Sequence, residues 1–205
     1  MTPWDVRLAR ALVRPLRSTA LRPNAITTAG LLSSLTAAGL IATGDDLLER
    51  LGGALFMLAV LFDHMDGEFA RMTGRTSRFG HYYDHVAAGV GYVSLFIGAG
   101  VGQSAGWLGG WALLAGGFAA SAVALIFLVR VFVEESSGRA MVAQASLAGF
   151  EPEDALYALG PITWLEGLAP FLVLAAIGAP LFLAWVTWCA GAGRSATAPQ
   201  PARQG

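Results

Sequence analysis

The chain has 205 residues, of which 55% are hydrophobic and only 13% charged, and its mean hydropathy is +0.58. A soluble domain carries about 25% charged residues, so the composition excludes a soluble globular enzyme, a disordered chain, a coiled coil and a nucleic-acid binder. The lone cysteine, Cys189, excludes an internal disulfide framework, and the net charge of −1, from 13 basic and 14 acidic residues, says less than where those charges stand.

All 13 basic residues are arginines. Arg7, Arg10, Arg14 and Arg17 recur at helical spacing on one face of the first 22 residues, with Trp4, Leu8, Leu12 and Leu16 on another. This predicts an interfacial amphipathic segment over residues 1–23, broken or kinked at Pro15. Two uses are open: a helix lying on an anionic leaflet, or flanking charges that only set orientation. No secretory signal is visible, because this Arg-rich start has no apolar core.

Six spans are expected next, near 25–44, 51–72, 82–101, 107–132, 154–168 and 170–190, since about 20 apolar residues cross a bilayer. The predicted fold is an all-α polytopic membrane bundle over residues 24–192, followed by a disordered tail over 193–205. The fifth span is short and interrupted by Gly160-Pro161, so the last two stretches have an alternative as one span plus a re-entrant piece. Arg7 to Arg22, Arg71, Arg75, Arg78, Arg130, Arg139, Arg194 and Arg203 fall on one side of this topology. Only Arg50, beside Asp45, Asp46 and Glu49, falls on the other. The positive-inside rule then places both termini in the cytoplasm, in an inner membrane if the source is bacterial. Trp107 and Trp111 on the outer side and Trp185 and Trp188 on the inner side mark aromatic belts.

Ionisable groups inside spans are costly and point to function. Span two carries Asp63, Asp66 and Glu68, and span three begins His81-Tyr82-Tyr83-Asp84-His85. Both groups lie at the cytoplasmic ends, facing each other across an arginine-bearing turn. At ~100° per residue, Asp63, Asp66, Gly67, Ala70 and Arg71 fall within one arc of roughly 140°. Clustered carboxylates without a lysine need neutralising in low dielectric. Oxygen-only ligands suit a hard divalent cation, Mg²⁺ or Mn²⁺. A cation, an arginine and a bare glycine backbone together suit a diphosphate.

The segment Asp63-x-x-Asp66-Gly67-x-x-Ala70-Arg71, eight residues, then Gly80-x-x-x-Asp84, resembles the signature of the CDP-alcohol phosphatidyltransferases, D-x-x-D-G-x-x-A-R, eight residues, G-x-x-x-D-x-x-x-D. Pro23-Asn24-x-x-Thr27 resembles the start of that family's first membrane helix. The resemblance covers residues 21–101. It implies an integral membrane enzyme of phospholipid biosynthesis, typically six-helical and dimeric, with its site open to the cytoplasmic interface. Such an enzyme moves a substituted phosphate from a CDP-linked lipid or alcohol donor to an alcohol acceptor and releases CMP. Carried over, Asp63, Asp66 and Asp84 would hold metal; Gly67, Ala70 and Arg71 would line the CDP site; Asn24 and Thr27 would approach the nucleotide, and Gly80 would pack two helices closely.

The departure is the fourth acidic position, which is Ala88. In the family that acid is thought to act as base on the acceptor hydroxyl. Three explanations stay open: a replacement base, His85 or His81; a member that binds a CDP-lipid or nucleotide without turnover; or an altered reaction on another acceptor. Histidines here also serve as interfacial residues orienting a ligand carboxylate, a reading that extends to His64.

Other features have plainer readings. Small residues at Gly30/Ser34/Ala38, Ala87/Gly91 and Gly116/Ala120 suit bundle packing or a dimer interface. Arg75 and Arg78 suit a second phosphate or simple flanking charge, and Arg130 the phosphate site or snorkelling. Glu151, Glu153 and Asp154 suit a helix N-terminus and Glu166 an outer turn. A membrane prenyltransferase would want a second aspartate motif, but only Asp154 follows Asp84. A transporter would spread polar residues near the midplane.

Overall fold

The computed structural model describes residues 4–137 and 156–191, all in helices and the turns between them. The elements are α1 (Trp4–Val13), a 3₁₀ turn (Arg14–Ser18), α2 (Pro23–Ala42), α3 (Asp46–Thr73), α4 (Arg78–Gly102), a second 3₁₀ turn (Gln103–Ala105), α5 (Gly110–Ser137), α6 (Leu159–Trp164) and α7 (Leu168–Gly191). Helix α2 packs on α3 and α4, α4 on α5, and α5 on α7, while α1 and α6 lie against α3.

Among the described residues, four helices are both long and apolar enough to cross a membrane: Pro23–Ala42, Arg78–Ala105, Gly110–Val133 and Leu168–Trp188. Helix α3 has the length, 28 residues or ~42 Å at 1.5 Å per residue, but carries its acids and Arg71 at one end. The fifth expected span differs most from expectation. Its described part, 156–164, is a short 3₁₀ turn and the six-residue α6. It runs antiparallel along α3, with Tyr157 beside His64, Gly160 beside Met57 and Thr163 beside Gly53. Trp164 Nε1 then donates to the Arg50 carbonyl at 3.3 Å. There the chain reverses: Glu166 sits at φ 58° and Gly167 N donates to Ile162 O at 2.8 Å. Glu166 also pairs with Arg50 at 3.3 Å, both exposed, which is the turn role expected of it. Arg139, Glu151, Glu153, Asp154, Arg194, Arg203 and the expected tail over 193–205 lie outside the described residues.

The core joins α2 to α7 through Ile41, Phe56, Leu95, Phe96, Leu159 and Leu172. Small residues set the spacing. A Cβ on Gly91 would meet Ser34 Oγ at 2.6 Å, and one on Gly116 would meet Phe96 O at 2.5 Å. The stripes named above are therefore bundle contacts, with Gly30 against Phe62 of α3, Gly91 against Ser34 of α2 and Gly116 against Phe96 of α4. The outer faces of α5 and α7 expose Leu114, Phe118, Leu128, Leu174 and Leu181. That surface is satisfied by lipid and not by water.

Helix α1 has three faces. Asp5, Ala9 and Val13 are buried against Met65 and Phe69 of α3. Trp4, Leu8 and Leu12 are exposed, and the arginines fill the remaining arc. The 3₁₀ turn at Pro15 ends the helix as its missing N–H requires.

Candidate functional site

Three helix ends build the site. Pro23 opens α2 at its first turn, after extended Arg22, so Asn24 and Thr27 share the first turns of one face. Helix α3 ends on Gly74, whose φ of 66° supplies the left-handed cap, with Arg75 N donating to Ala70 O at 3.1 Å. Ser77 caps α4 by accepting from Gly80 N at 3.0 Å. The two residues between these caps, Arg75 and Thr76, bring the motif halves together.

Between the ends lies a cavity of about 220 Å³. From α2 it is lined by Asn24 and Thr27, from α3 by Asp66, Gly67, Ala70 and Arg71, and from the turn and α4 by Arg75, Gly80, His81 and Asp84. Deeper in the bundle, a cavity of about 30 Å³ is lined by Asp63, Asp66, Ser34 and Ala88. Asp66 lines both cavities, and Asp84 is in side-chain contact with both Asp63 and Asp66. Thr27 Oγ1 donates to Asp66 Oδ2, with both residues buried. The Oδ1 atom of Asp84 is buried without a hydrogen-bond partner.

A buried carboxylate oxygen without a donor, beside two more carboxylates, fits a hard cation. Among the described residues no three His, Cys, Asp or Glu side chains are arranged as a metal-holding group, so a cation at Asp84 would need the aspartates to draw together or oxygens from a substrate.

Arg71 lies across Gly67, where an added Cβ would sit 3.4 Å from its Nη1. Arg75 also lines the cavity, and its Nη1 donates to Leu21 O at 2.6 Å, tying the turn to the segment before α2. Gly80 faces Asn24, whose Oδ1 would lie 3.1 Å from an added Cβ; the close approach it allows is to α2. The histidines separate. His81 lines the cavity, whereas the His85 ring lies against the His81 ring at 4.4 Å, tilted by 59°, with its Nδ1 3.1 Å from His81 O. His64 faces α1: its Nε2 is 3.0 Å from Asp5 Oδ2, and its Nδ1 is 3.0 Å from Val60 O. Arg130 lines a separate apolar groove of about 450 Å³ between α4, α5 and α7, not the polar cavity.

The family model for CDP-alcohol phosphatidyltransferases matches residues 20–194. The chain belongs to that family. Its general class is thereby a membrane transferase of phospholipid biosynthesis. Among solved structures it is similar to Mycobacterium tuberculosis phosphatidylinositol phosphate synthase (PgsA1) with CDP-DAG bound, at 20% identity and TM-score 0.62, over 98% of this chain and 99% of that one. The same synthase in complex with manganese and citrate matches at 20% identity and TM-score 0.61, over 97% and 93%. At this identity the likeness shows the shared fold. No curated protein matches the sequence.

Two elements escaped the sequence reading. Glu68 accepts from Arg71 Nε at 3.1 Å and Nη2 at 2.7 Å, and from Arg10 Nε at 2.8 Å. The Asp5–His64 pair docks α1, with Tyr157 OH 3.3 Å from the ring. The spacing of Glu68 and Arg71, three apart on one helix, signals the first; nothing in the sequence signals a partner 58 residues away.

Proposed function

We propose that the protein transfers a substituted phosphate from a CDP-linked lipid or alcohol to the hydroxyl of an alcohol acceptor. The acceptor oxygen forms a bond to the phosphorus carrying the lipid or alcohol group, the bond from that phosphorus to the CMP oxygen breaks, and the hydroxyl proton passes to a base. The observation that carries this reading is the cavity lined by Asp66 and Asp84, which Asp63 contacts from behind, together with Arg71 and Arg75. Anion-binding guanidiniums and cation-binding carboxylates lining one cavity suit a diphosphate.

In this reading Asp63, Asp66 and Asp84 would hold Mg²⁺ or Mn²⁺. Metal dependence goes with the family, and one of the similar synthase structures contains manganese. A cation held by these three aspartates would neutralise their charge and supply Lewis-acid polarisation of a phosphate. Thr27 orients Asp66 through its hydroxyl. Arg71 and Arg75 meet phosphate oxygens, and Gly67 leaves room for them. Asn24 and Gly80, which approach each other closely at the cavity wall, meet the nucleotide. His81 is the proton acceptor of first choice, being in the cavity; His85 acts behind it. CDP-diacylglycerol is the donor to test first, since a similar synthase binds CDP-DAG. Sidedness follows from the arginines, which put the site and both termini in the cytoplasm; a homodimer follows from family habit. The domain boundaries at 23 and 192 follow from the same charge and hydropathy pattern. Nothing in the fold favours the alternative of binding without turnover.

The test is CMP release by purified protein in nanodiscs with CDP-diacylglycerol, Mn²⁺ and a panel of polyol phosphates, amino alcohols and lipid alcohols. Release with one acceptor supports the reading. Tight CDP-diacylglycerol binding with no release from any acceptor overturns it in favour of a binding protein.

A further inference from the structure

The carboxylate of Glu68 stands beside the cavity and outside the aspartate cluster. Its side chain is 4% exposed, while those of its partners Arg10 and Arg71 are 54% and 63% exposed. Each of its oxygens is committed to a different guanidinium. Oε1 takes both Nε and Nη2 of Arg71, at 3.1 and 2.7 Å. Oε2 takes Nε of Arg10 at 2.8 Å. Arg71 is thus held edge-on by a carboxylate, with its Nη1 side over the bare backbone of Gly67. A two-point grip of this kind fixes a guanidinium plane as a single contact cannot.

The charge arithmetic explains the third member. An Arg71–Glu68 pair by itself is neutral and a poor anion site. With Arg10 the triad carries a net +1. The sharing of one buried carboxylate therefore lets Arg71 be oriented without losing its attraction for phosphate. Arg10 comes from α1, the surface helix, so its share of the positive charge, added to that of Arg75, reaches the site only when α1 is docked on α3.

Resting on the reading that Arg71 meets the donor diphosphate, we propose that Glu68 is a positioning residue for Arg71 and that Arg10 of α1 restores the positive charge that Glu68 would otherwise cancel. The two substitutions then act in different ways. Glu68→Gln keeps the shape and raises the local charge but loosens the guanidinium. Arg10→Gln keeps the grip and removes the charge.

The test measures equilibrium binding of CDP-diacylglycerol with Mn²⁺ in phosphatidylcholine nanodiscs, alongside the CMP release rate at saturating donor and the melting temperature. Arg10→Gln weakens donor binding about 10-fold, and Arg10→Lys restores it to within about 2-fold, because charge is what it supplies. Glu68→Gln binds donor as well as or better than wild type, yet releases CMP about 10–100-fold more slowly, the usual cost of losing an orienting partner. A merely structural role moves both variants the same way, lowering melting temperature and binding together, and that outcome overturns the proposal. So does an Arg10→Lys variant as weak as Arg10→Gln. If wild-type protein fails to bind CDP-diacylglycerol at all, the underlying functional reading falls, and this proposal with it.

Discussion

Thr27→Val isolates a single hydrogen bond at the centre of the site. The side chains have the same shape, so the substitution opens no cavity and removes only the hydroxyl. That hydroxyl carries one proton, and of its two acceptors, Pro23 O at 3.3 Å and the much closer Asp66 Oδ2, the carboxylate takes it. Thr27 is 5% and Asp66 4% exposed, so water cannot replace the lost donor. A bond to a buried charged acceptor contributes about 1.5–3 kcal/mol. At 1.36 kcal/mol per decade, this corresponds to a change of about 10–150-fold. If Asp66 is a metal ligand held in place by Thr27, that change appears in two quantities from CMP release measured against Mn²⁺ concentration with CDP-diacylglycerol. Half-saturation by Mn²⁺ rises and kcat/KM falls, together spanning that range. Thr27→Ser keeps the hydroxyl and recovers most of the loss in both quantities. A valine variant within 2-fold of wild type in both quantities refutes the assignment of Thr27 and of Asp66 with it.

Three further outcomes follow from the same geometry. Gly116→Ala puts a methyl 2.5 Å from Phe96 O and 2.9 Å from Gly100 Cα, and should destabilise the bundle by about 1–3 kcal/mol as overpacking does. Gly117→Ala, with nothing within 4 Å, should leave the detergent melting temperature unchanged or slightly raised. His81→Asn should lower kcat at least 10-fold more than His85→Asn, on the general contribution of a positioned base of about 10²–10⁴; the reverse order would move the base to His85. Chelation by EDTA should abolish CMP release and leave helix content by circular dichroism unchanged, because the fold is held by apolar and backbone contacts; readdition of Mn²⁺ or Mg²⁺ restores release.

Much of this molecule is legible in one dimension because the membrane makes it so. A bilayer requires each spanning segment to satisfy its own backbone, so helices α2, α3, α4, α5 and α7 appear as apolar runs before any packing is known. The expense of charge in lipid likewise makes Asp63, Asp66 and Asp84 stand out by position alone. The motif spacing brings them to one end of two neighbouring helices, which is where the structure places them. The fifth span was the weakest expectation, since Gly160-Pro161 and Glu166-Gly167 blur both of its ends. Its described residues prove to be a short helix held by side chains such as Thr163 against Gly53, a fit that hydropathy does not encode.

Sequence by itself determined the class of protein, the helix order, the polar end of the bundle and the residues of the candidate site. These follow from local rules: hydropathy over about 20 residues, arginine bias, and caps such as Gly74 and Ser77. Only the tertiary structure decided which of those residues look at one another. It turned His64 toward Asp5 and away from the cavity, placed His81 in front of His85, sent Arg130 to an apolar groove and gave Arg71 the partner Glu68, itself shared with Arg10. Such pairings depend on the rotation of each helix about its axis and on its depth in the bundle. Both are set by how glycine and alanine faces interlock across helices far apart in the chain, which is why periodicity along one helix shows the faces but not what they meet.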